Sequence, residues 1–295
     1  MCASLITTRE LLGESTARLA AAGVPSPEAD AALLIGFVTD ASRGRVQAMA
    51  VTGTPVEASD AVRIRTLVER RAAREPLQHI TGTAAFRALE LAVGPGVFVP
   101  RPETEQVAQL AIDALRQAPV PRPVAVDLGT GSGAIALALA TEVPAARVFA
   151  VEKSAEALPW TRRNFAAVTA ASPADAVLVE GDLADPGLLA ELDGAVDVVI
   201  SNPPYVPDEA IPRDPEVRLF DPAMALYGGP DGLDLVRALS HTALRLAHPG
   251  GLLVIEHGEL QGRPIRELLA ADGWRAASTH PDLTGRDRAT TALHP

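Results

Sequence analysis

Cysteine is nearly missing from this chain: among 295 residues there is one, Cys2. A lone thiol excludes an internal disulfide. The six histidines, His79, His241, His248, His257, His280 and His294, show neither HxxxH nor Cys/His ligand spacing, so no structural metal is expected. Long apolar runs are missing too, and none approaches the roughly 20 residues of a bilayer span. The N-terminus lacks a basic-then-apolar signal pattern, so a cytoplasmic protein without a membrane partner is expected. No GxSxG elbow and no Gly-Lys-Ser/Thr phosphate loop is present, which leaves hydrolase and NTPase readings without a motif. Positive charge is scarce. Nine arginines balance nine carboxylates in residues 1–75, and seventeen basic residues face twenty-eight acidic ones downstream, so the whole formal charge of −11 lies after residue 75. Duplex DNA requires a basic footprint, and direct DNA binding is not expected.

What the chain does have is a core. With 47% hydrophobic and 21% charged residues it is globular and long enough for more than one domain. The first 75 residues read as helices. Thr7-Thr8-Arg9-Glu10 fits a capping box opening a helix that ends near Gly23, and Ser26-Pro27-Glu28 offers an N-cap and an N1 proline for the next. Leu33, Leu34, Phe37 and Val38 give that second helix an apolar side. A third pattern, Ala58 to Ala73, turns Val62, Leu67 and Val68 inward. Arg63, Arg70 and Arg74 fall on one side of it, with Arg65 and Arg71 near, either as a solvated face or as a docking stripe for a nucleic-acid-bound or acidic partner. Residues 76–100, rich in Thr, Gly and Val with turn residues, suggest a β-hairpin linker. From Arg122 onward seven short apolar runs alternate with helical patterns: VAVDLG, RVFAVE, AVLVEGD, VDVVISN, GLLVIEHG, RAASTH and RATTAL. Buried parallel strands explain that alternation, and the last two runs read as an antiparallel edge hairpin around Asp282 to Asp287. The expected architecture is α/β: a doubly wound, mostly parallel seven-stranded sheet in a domain spanning residues 101–295, preceded by a helical bundle (1–75) and the hairpin linker (76–100).

Two loops carry the chemistry. VDLGTGSGAIALALA places Gly129, Thr130, Gly131, Ser132 and Gly133 between a strand and a helix, where glycines admit a ligand close to the backbone and the helix start presents free N–H groups. Glu152, at the end of the second strand, is placed to accept hydrogen bonds from a ribose diol. At this step a nicotinamide dinucleotide remains open, because Gly129-x-Gly131-x-x-Ala134 satisfies the relaxed fingerprint. The second loop is Asn202-Pro203-Pro204-Tyr205. Two consecutive prolines cannot continue a strand and fix a stiff backbone with free carbonyls at the strand end, where open α/β sheets hold ligands.

Taken with the glycine loop, Asn-Pro-Pro-Tyr resembles the fourth-strand motif of class I S-adenosylmethionine methyltransferases acting on amino nitrogens. The resemblance narrows to the protein-(glutamine-N5) methyltransferases that modify class I peptide-chain release factors. VPRPETE (Val99 to Glu105), DLGTGSGAIALALA, SNPPYVP, LYGGPDGLD (Leu226 to Asp234), IEHG (Ile255 to Gly258) and DLTGRDR stand in that family's order. The resemblance implies a Rossmann-like fold, S-adenosyl-L-methionine as cofactor, and methylation of the glutamine in the GGQ motif of release factors, in support of translation termination. It implies that Gly129 to Gly133 surround the methionine part of the cofactor, that Glu152 holds its ribose, that Asp182 and Leu183 line the adenine and that Asn202 also touches the cofactor. Asn202 to Tyr205 would grip the glutamine, and Arg101 and Glu103 would shape the substrate pocket. The last two equally suit a helix start, with Pro102 at N1. The chain departs from the family in having Leu183 where an aromatic is common and Glu152 where Asp is frequent.

An amide nitrogen is a poor nucleophile because its lone pair is delocalised into the carbonyl. Acceptors at the Asn202 side-chain oxygen and the Pro203 carbonyl, aimed at the two N–H bonds, would favour a pyramidal nitrogen, and Tyr205 would pack on the flat amide. No strong general base is required by this scheme. Glu256-His257 reads as a packing pair rather than an acid/base pair. The alternative function is an adenine-N6 methyltransferase, whose exocyclic amine presents the same planar NH₂. The acidic catalytic part argues against it. A monomer is expected.

Overall fold

The computed structural model describes residues 6–295, so Cys2 lies outside the described residues. Their contacts divide the chain into two compact units. One runs up to Gly82 and also takes in Arg213–Phe220; the other comprises Thr83–Pro212 and Asp221–Pro295.

The helical unit contains α1 (Thr8–Ala21), α2 (Pro27–Thr39), α3 (Arg43–Thr52), α4 (Ala58–Ala72) and α5 (Leu77–Thr81). The capping box is formed: Thr7 Oγ1 accepts from the Glu10 N–H at 3.2 Å and the Glu10 carboxylate accepts from the Thr7 N–H at 2.9 Å. Ser26 stands before Pro27, but its hydroxyl caps nothing. The inward side of α2 is Ala31, Ala32, Leu34 and Ile35, while Leu33 and Phe37 are exposed. The buried face thus runs through small and large residues alike, and Leu33 and Phe37 lie on the other side of the helix. On α4 the buried row is Ala61, Ile64, Val68 and Ala72, which leaves Val62 about a quarter turn off it and exposed. Helix α3 was not anticipated, because only Val46 of its ten residues is buried and no apolar stripe marks it.

The arginines expected as a row are paired off within this unit. Arg63 meets Asp60, Arg65 meets Glu14 and Arg70 meets Glu75, the three arginines themselves being exposed. Arg74 lies beyond the end of α4 with φ 71°, so it leaves the helical row and holds Glu216 at 2.6 Å. Arg71 is buried and bridges Asp30 and Glu216, each at 2.8 Å. Glu216 belongs to the short excursion Arg213–Phe220, which is thereby fastened to α2 and α4 by four charged groups.

The second unit opens with a two-stranded antiparallel hairpin, β1 (Thr83–Phe86) and β2 (Leu89–Ala92), followed by α6 (Pro102–Gln117). Then come β3 (Val124–Leu128), α7 (Ala134–Glu142), β4 (Arg147–Glu152), α8 (Leu158–Ala171), β5 (Asp175–Glu180) and β6 (Val196–Ser201). After the excursion, whose helix is α9 (Pro215–Phe220), follow α10 (Ala223–Leu226), α11 (Asp234–Leu246), β7 (Ala247–Glu256), α12 (Gly262–Ala271), β8 (Arg275–Pro281) and β9 (Asp287–Leu293). The seven-stranded sheet has the order β5-β4-β3-β6-β7-β9-β8 and only β9 runs against the others, as the sequence reading expected for a doubly wound sheet with an edge hairpin. One core layer lies between the sheet and α6 and α7, with Ile112, Leu115, Leu137 and Leu139; the other lies under α11 and α12, with Leu239, Leu246, Ile265 and Leu269. The strand order reverses between β3 and β6, so the loops after them flank the switch-point crevice. Among the described residues no helix is long and apolar enough to cross a membrane.

Candidate active site

Because β3 to β7 are parallel, the residues that follow them gather along one edge of the sheet. The glycine loop follows β3, Glu152 ends β4, Asp182 and Leu183 follow β5, and Asn202 to Tyr205 follow β6. The sequence-predicted residues are therefore brought to one side, in the order that a ligand lying across the strand ends would meet them.

The glycine loop is shaped by its own backbone and by Glu152. The N–H groups of Gly129 and Thr130 both donate to the Val151 carbonyl at 2.9 Å. Gly131 donates to Glu152 Oε2 at 2.7 Å, and Ser154 N–H donates to Oε1 at 2.6 Å. Both Glu152 oxygens thus hold the loops on either side while each keeps further acceptor capacity. Gly131 has φ 57°, and a Cβ added there would meet no atom within 4 Å. Its side of the loop faces open space, as a cradle for a ligand requires.

Several residues that hold this loop escaped the sequence reading. Asp127 is fully buried at the end of β3; its Oδ2 accepts from Thr130 Oγ1 at 2.6 Å and from the Ala136 N–H at 3.2 Å, and burial pushes its carboxyl up to about 7. Thr161 donates to the Gly131 carbonyl at 2.6 Å, and the Asn164 amide donates to the carbonyls of Ser132 at 2.8 Å and Ala92 at 3.0 Å. Asp127 stands inside the DLGTGSG motif, whereas nothing local marks Thr161 and Asn164.

Asp182 turns toward Lys153, 2.6 Å away, and accepts from the Ala184 N–H, so its carboxyl is held below the usual range by the ammonium. Leu183 is 7% exposed within the core layer of α11, and its carbonyl accepts from Thr242 at 2.7 Å.

The Asn202-Pro203-Pro204-Tyr205 turn is braced from three directions. Ser201 Oγ donates to the Leu128 carbonyl at 2.6 Å, tying the ends of β6 and β3 together. Gln261 Nε2 donates to the Tyr205 carbonyl at 2.9 Å. Gly232 packs so closely beneath that carbonyl that an added Cβ would stand 2.3 Å from it, with φ 74° as well. That contact gives the LYGGPDGLD segment a physical task, since only a glycine there leaves the turn in place. Tyr205 keeps its proton: burial, reinforced by the nearby Glu256, pushes the phenol up to about 12.

Arg101 is the N-cap residue of α6, and Pro102 opens the helix. The Arg101 guanidinium lies 5.0 Å from the Phe98 ring centroid and donates to Asp221 at 2.6 Å. The Asp221 side chain is fully buried, and burial pushes it up to about 6 in spite of that partner. Glu103 faces Arg286 at 3.7 Å. The expected Glu256-His257 packing pair is divided: His257 satisfies its ring nitrogens on Thr290 at 2.9 Å and on the Gly258 carbonyl at 2.8 Å, while Glu256 takes no part in that.

The fold is similar to that of a methyltransferase from Pyrococcus furiosus, with a TM-score of 0.50 and 20% identity over 78% of this chain and 95% of that one. Residues 10–82 match the family model described as PrmC N-terminal domain, and residues 88–227 match the methyltransferase small domain. The chain is 51% identical over 283 residues to a release factor glutamine methyltransferase of Streptomyces coelicolor, covering 95% of this chain and 96% of that protein. It is 44% identical over 284 residues to one of Bifidobacterium longum, covering 95% and 97%. Matched at that level along nearly its whole length, the chain belongs to the release factor glutamine methyltransferase family.

Proposed function

We propose that the protein transfers the methyl group of S-adenosyl-L-methionine to the side-chain N5 of the glutamine in the GGQ motif of class I peptide-chain release factors. The observation that carries this reading is the braced Asn202-Pro203-Pro204-Tyr205 turn standing beside the glycine loop at the switch point. When bound, the cofactor supplies an electrophilic methyl group on a sulfonium. The residues present suit it: open space beside Gly131, the remaining acceptor capacity of Glu152 for the ribose hydroxyls, and the Asp182-Leu183 segment for the adenine.

Asn202 Oδ1 and the Pro203 carbonyl accept from the two amide N–H bonds, and the prolines keep that carbonyl from moving as positive charge grows on nitrogen. Tyr205, held neutral, covers the flat face of the amide. Residues 1–75 dock the protein substrate, 76–100 link, and 101–295 catalyse. Release factors work in translation, which puts the enzyme in the cytoplasm, and one glutamine loop requires only a monomer.

The test is incubation of the protein with purified release factor and S-adenosyl-L-methionine, followed by mass spectrometry of the glutamine-bearing peptide. One added methyl on the amide is expected. Methylation of adenine in DNA or RNA, with the peptide unmodified, would overturn the reading. Glu152→Ala is expected to weaken cofactor binding by about 1.5–3 kcal/mol, the scale of hydrogen bonds to charged groups. Turnover at saturating cofactor should change little, and calorimetry measures the difference.

A further inference from the structure

Glu256 closes β7 with 2% exposure, and its Oε2 has no hydrogen-bond partner. Burying an unpaired carboxyl oxygen is costly, and such groups collect at functional sites. The groups that face it are Glu103 and Thr104 at the start of α6, Tyr205 after β6 and Arg288 on β9. None satisfies it. Thr104 lies near enough to favour the carboxylate, but its Oγ1 makes no hydrogen bond of ordinary geometry. Arg288 directs its outer nitrogens to the His257 carbonyl at 3.4 Å and to Asp282 at 3.7 Å, and its Nε is unpaired. Burial accordingly pushes the Glu256 carboxyl up to about 7, with Glu103 adding to the rise and Arg288 opposing it.

Sheet order says what Glu256 adjoins. The last registered pair of the β6–β7 ladder is Ser201 with Ile255. Ile200 and Val254 both point into the core layer of α6 and α7, so the alternation carries Asn202 and Glu256, one residue past that pair, to the same side of adjacent strands. Strand β7 flanks β6 on the side away from β3, β4 and β5, whose ends bear the glycine loop, Glu152 and Asp182. Glu256 therefore lies beyond Asn202 as seen from the cofactor residues.

We propose that Glu256, as a carboxylate, accepts the proton released by the target amide, and that its charge favours nitrogen over sulfur as the seat of positive charge in the transition state. The inference rests on the amide-methylating function above. The nitrogen lone pair forms the bond to the methyl carbon as the carbon–sulfur bond breaks, with that pair left on sulfur. The nitrogen, cationic at this point, gives a proton to Glu256 Oε2, which later returns it to solvent. A negative charge nearer to nitrogen than to sulfur stabilises the transition state more than the ground state, so it raises kcat rather than affinity.

The wild-type protein, first shown to methylate release factor, is compared with Glu256→Gln and Glu256→Asp across pH. Wild-type kcat is expected to fall about tenfold per pH unit below about pH 7, as the carboxylate is lost. Glu256→Gln should lower kcat on the order of 10-fold to 100-fold, flatten that limb and leave both KM values near wild type, and Glu256→Asp should restore part of the rate. A carboxyl resonance in the cofactor-free protein, assigned by its absence from the Gln variant, should titrate near neutrality. If the Gln variant does not fold, the Asp variant and the wild-type profile decide. Wild-type kcat in the Gln variant, or a wild-type profile flat through neutral pH, overturns the proposal while leaving the methylation of glutamine intact. Absence of methylation by the wild type would instead overturn the function on which it rests.

Discussion

Asn202→Ala is expected to lower kcat by about 10²-fold to 10³-fold, the usual effect of removing one preorganised dipole from a transition state. Melting behaviour and cofactor affinity should stay near wild type. The fold should tolerate the change because the turn is held by other groups: Ser201 on the Leu128 carbonyl, Gln261 on the Tyr205 carbonyl and Gly232 beneath it. None of these depends on the Asn202 carboxamide, to which no other side chain among the described residues hydrogen-bonds. Asn202→Asp keeps an acceptor in the same place and should retain more activity than alanine. Single-turnover methylation of release factor separates the chemical step from binding. A wild-type rate in the alanine variant would remove Asn202 from the grip on the amide and with it the proposed chemistry.

Arg71→Ala should destabilise the helical unit by about 3 kcal/mol, at the lower end of what is lost when one partner of a buried ion pair is removed. The Arg71 side chain is 7% exposed, and Asp30 and Glu216, both at 13%, would be left facing each other's charge with only Arg74 to compensate. Arg71→Lys should recover only part of the loss, since an ammonium cannot fork between two carboxylates as a guanidinium does. Urea denaturation followed by circular dichroism measures both. A loss below about 1 kcal/mol, the range of exposed pairs, would mean that water already screens the cluster. The same cluster affects how a truncated protein is read: a chain beginning near Pro76 loses the partners of Glu216 as well as the helices, so impaired methylation by it would not report on substrate docking alone.

The signals readable from sequence were the local ones. A capping box is complete within four residues, as Thr7 to Glu10 shows, and the glycine loop and Asn-Pro-Pro-Tyr each announce a backbone constraint that few other residues meet. The doubly wound sheet followed from apolar runs that had to be buried on both faces. The inward faces of α2 and α4 were less legible, because alanine packs closely without adding to an apolar stripe: Leu33, Phe37 and Val62 looked like core and are exposed. The supports of the site were least legible. Asn164 meets Ala92 across 72 positions and Gln261 meets Tyr205 across 56, distances at which no spacing rule operates. Glu256 looked like half of a pair with His257, and only the sheet register separates them and sets it beside Asn202.

The excursion Arg213–Phe220 also sets a clock on biogenesis. Arg74 and Glu216 are 142 positions apart, so the charged cluster of the helical unit cannot close until most of the chain has left the ribosome. At ordinary synthesis rates that is a wait of roughly 7–30 seconds, during which α2 and α4 carry buried-to-be charges without their partner. The amino-terminal helices, first to be made and joined mostly by short-range contacts, are thus expected to be among the last parts of the protein to reach their final stability.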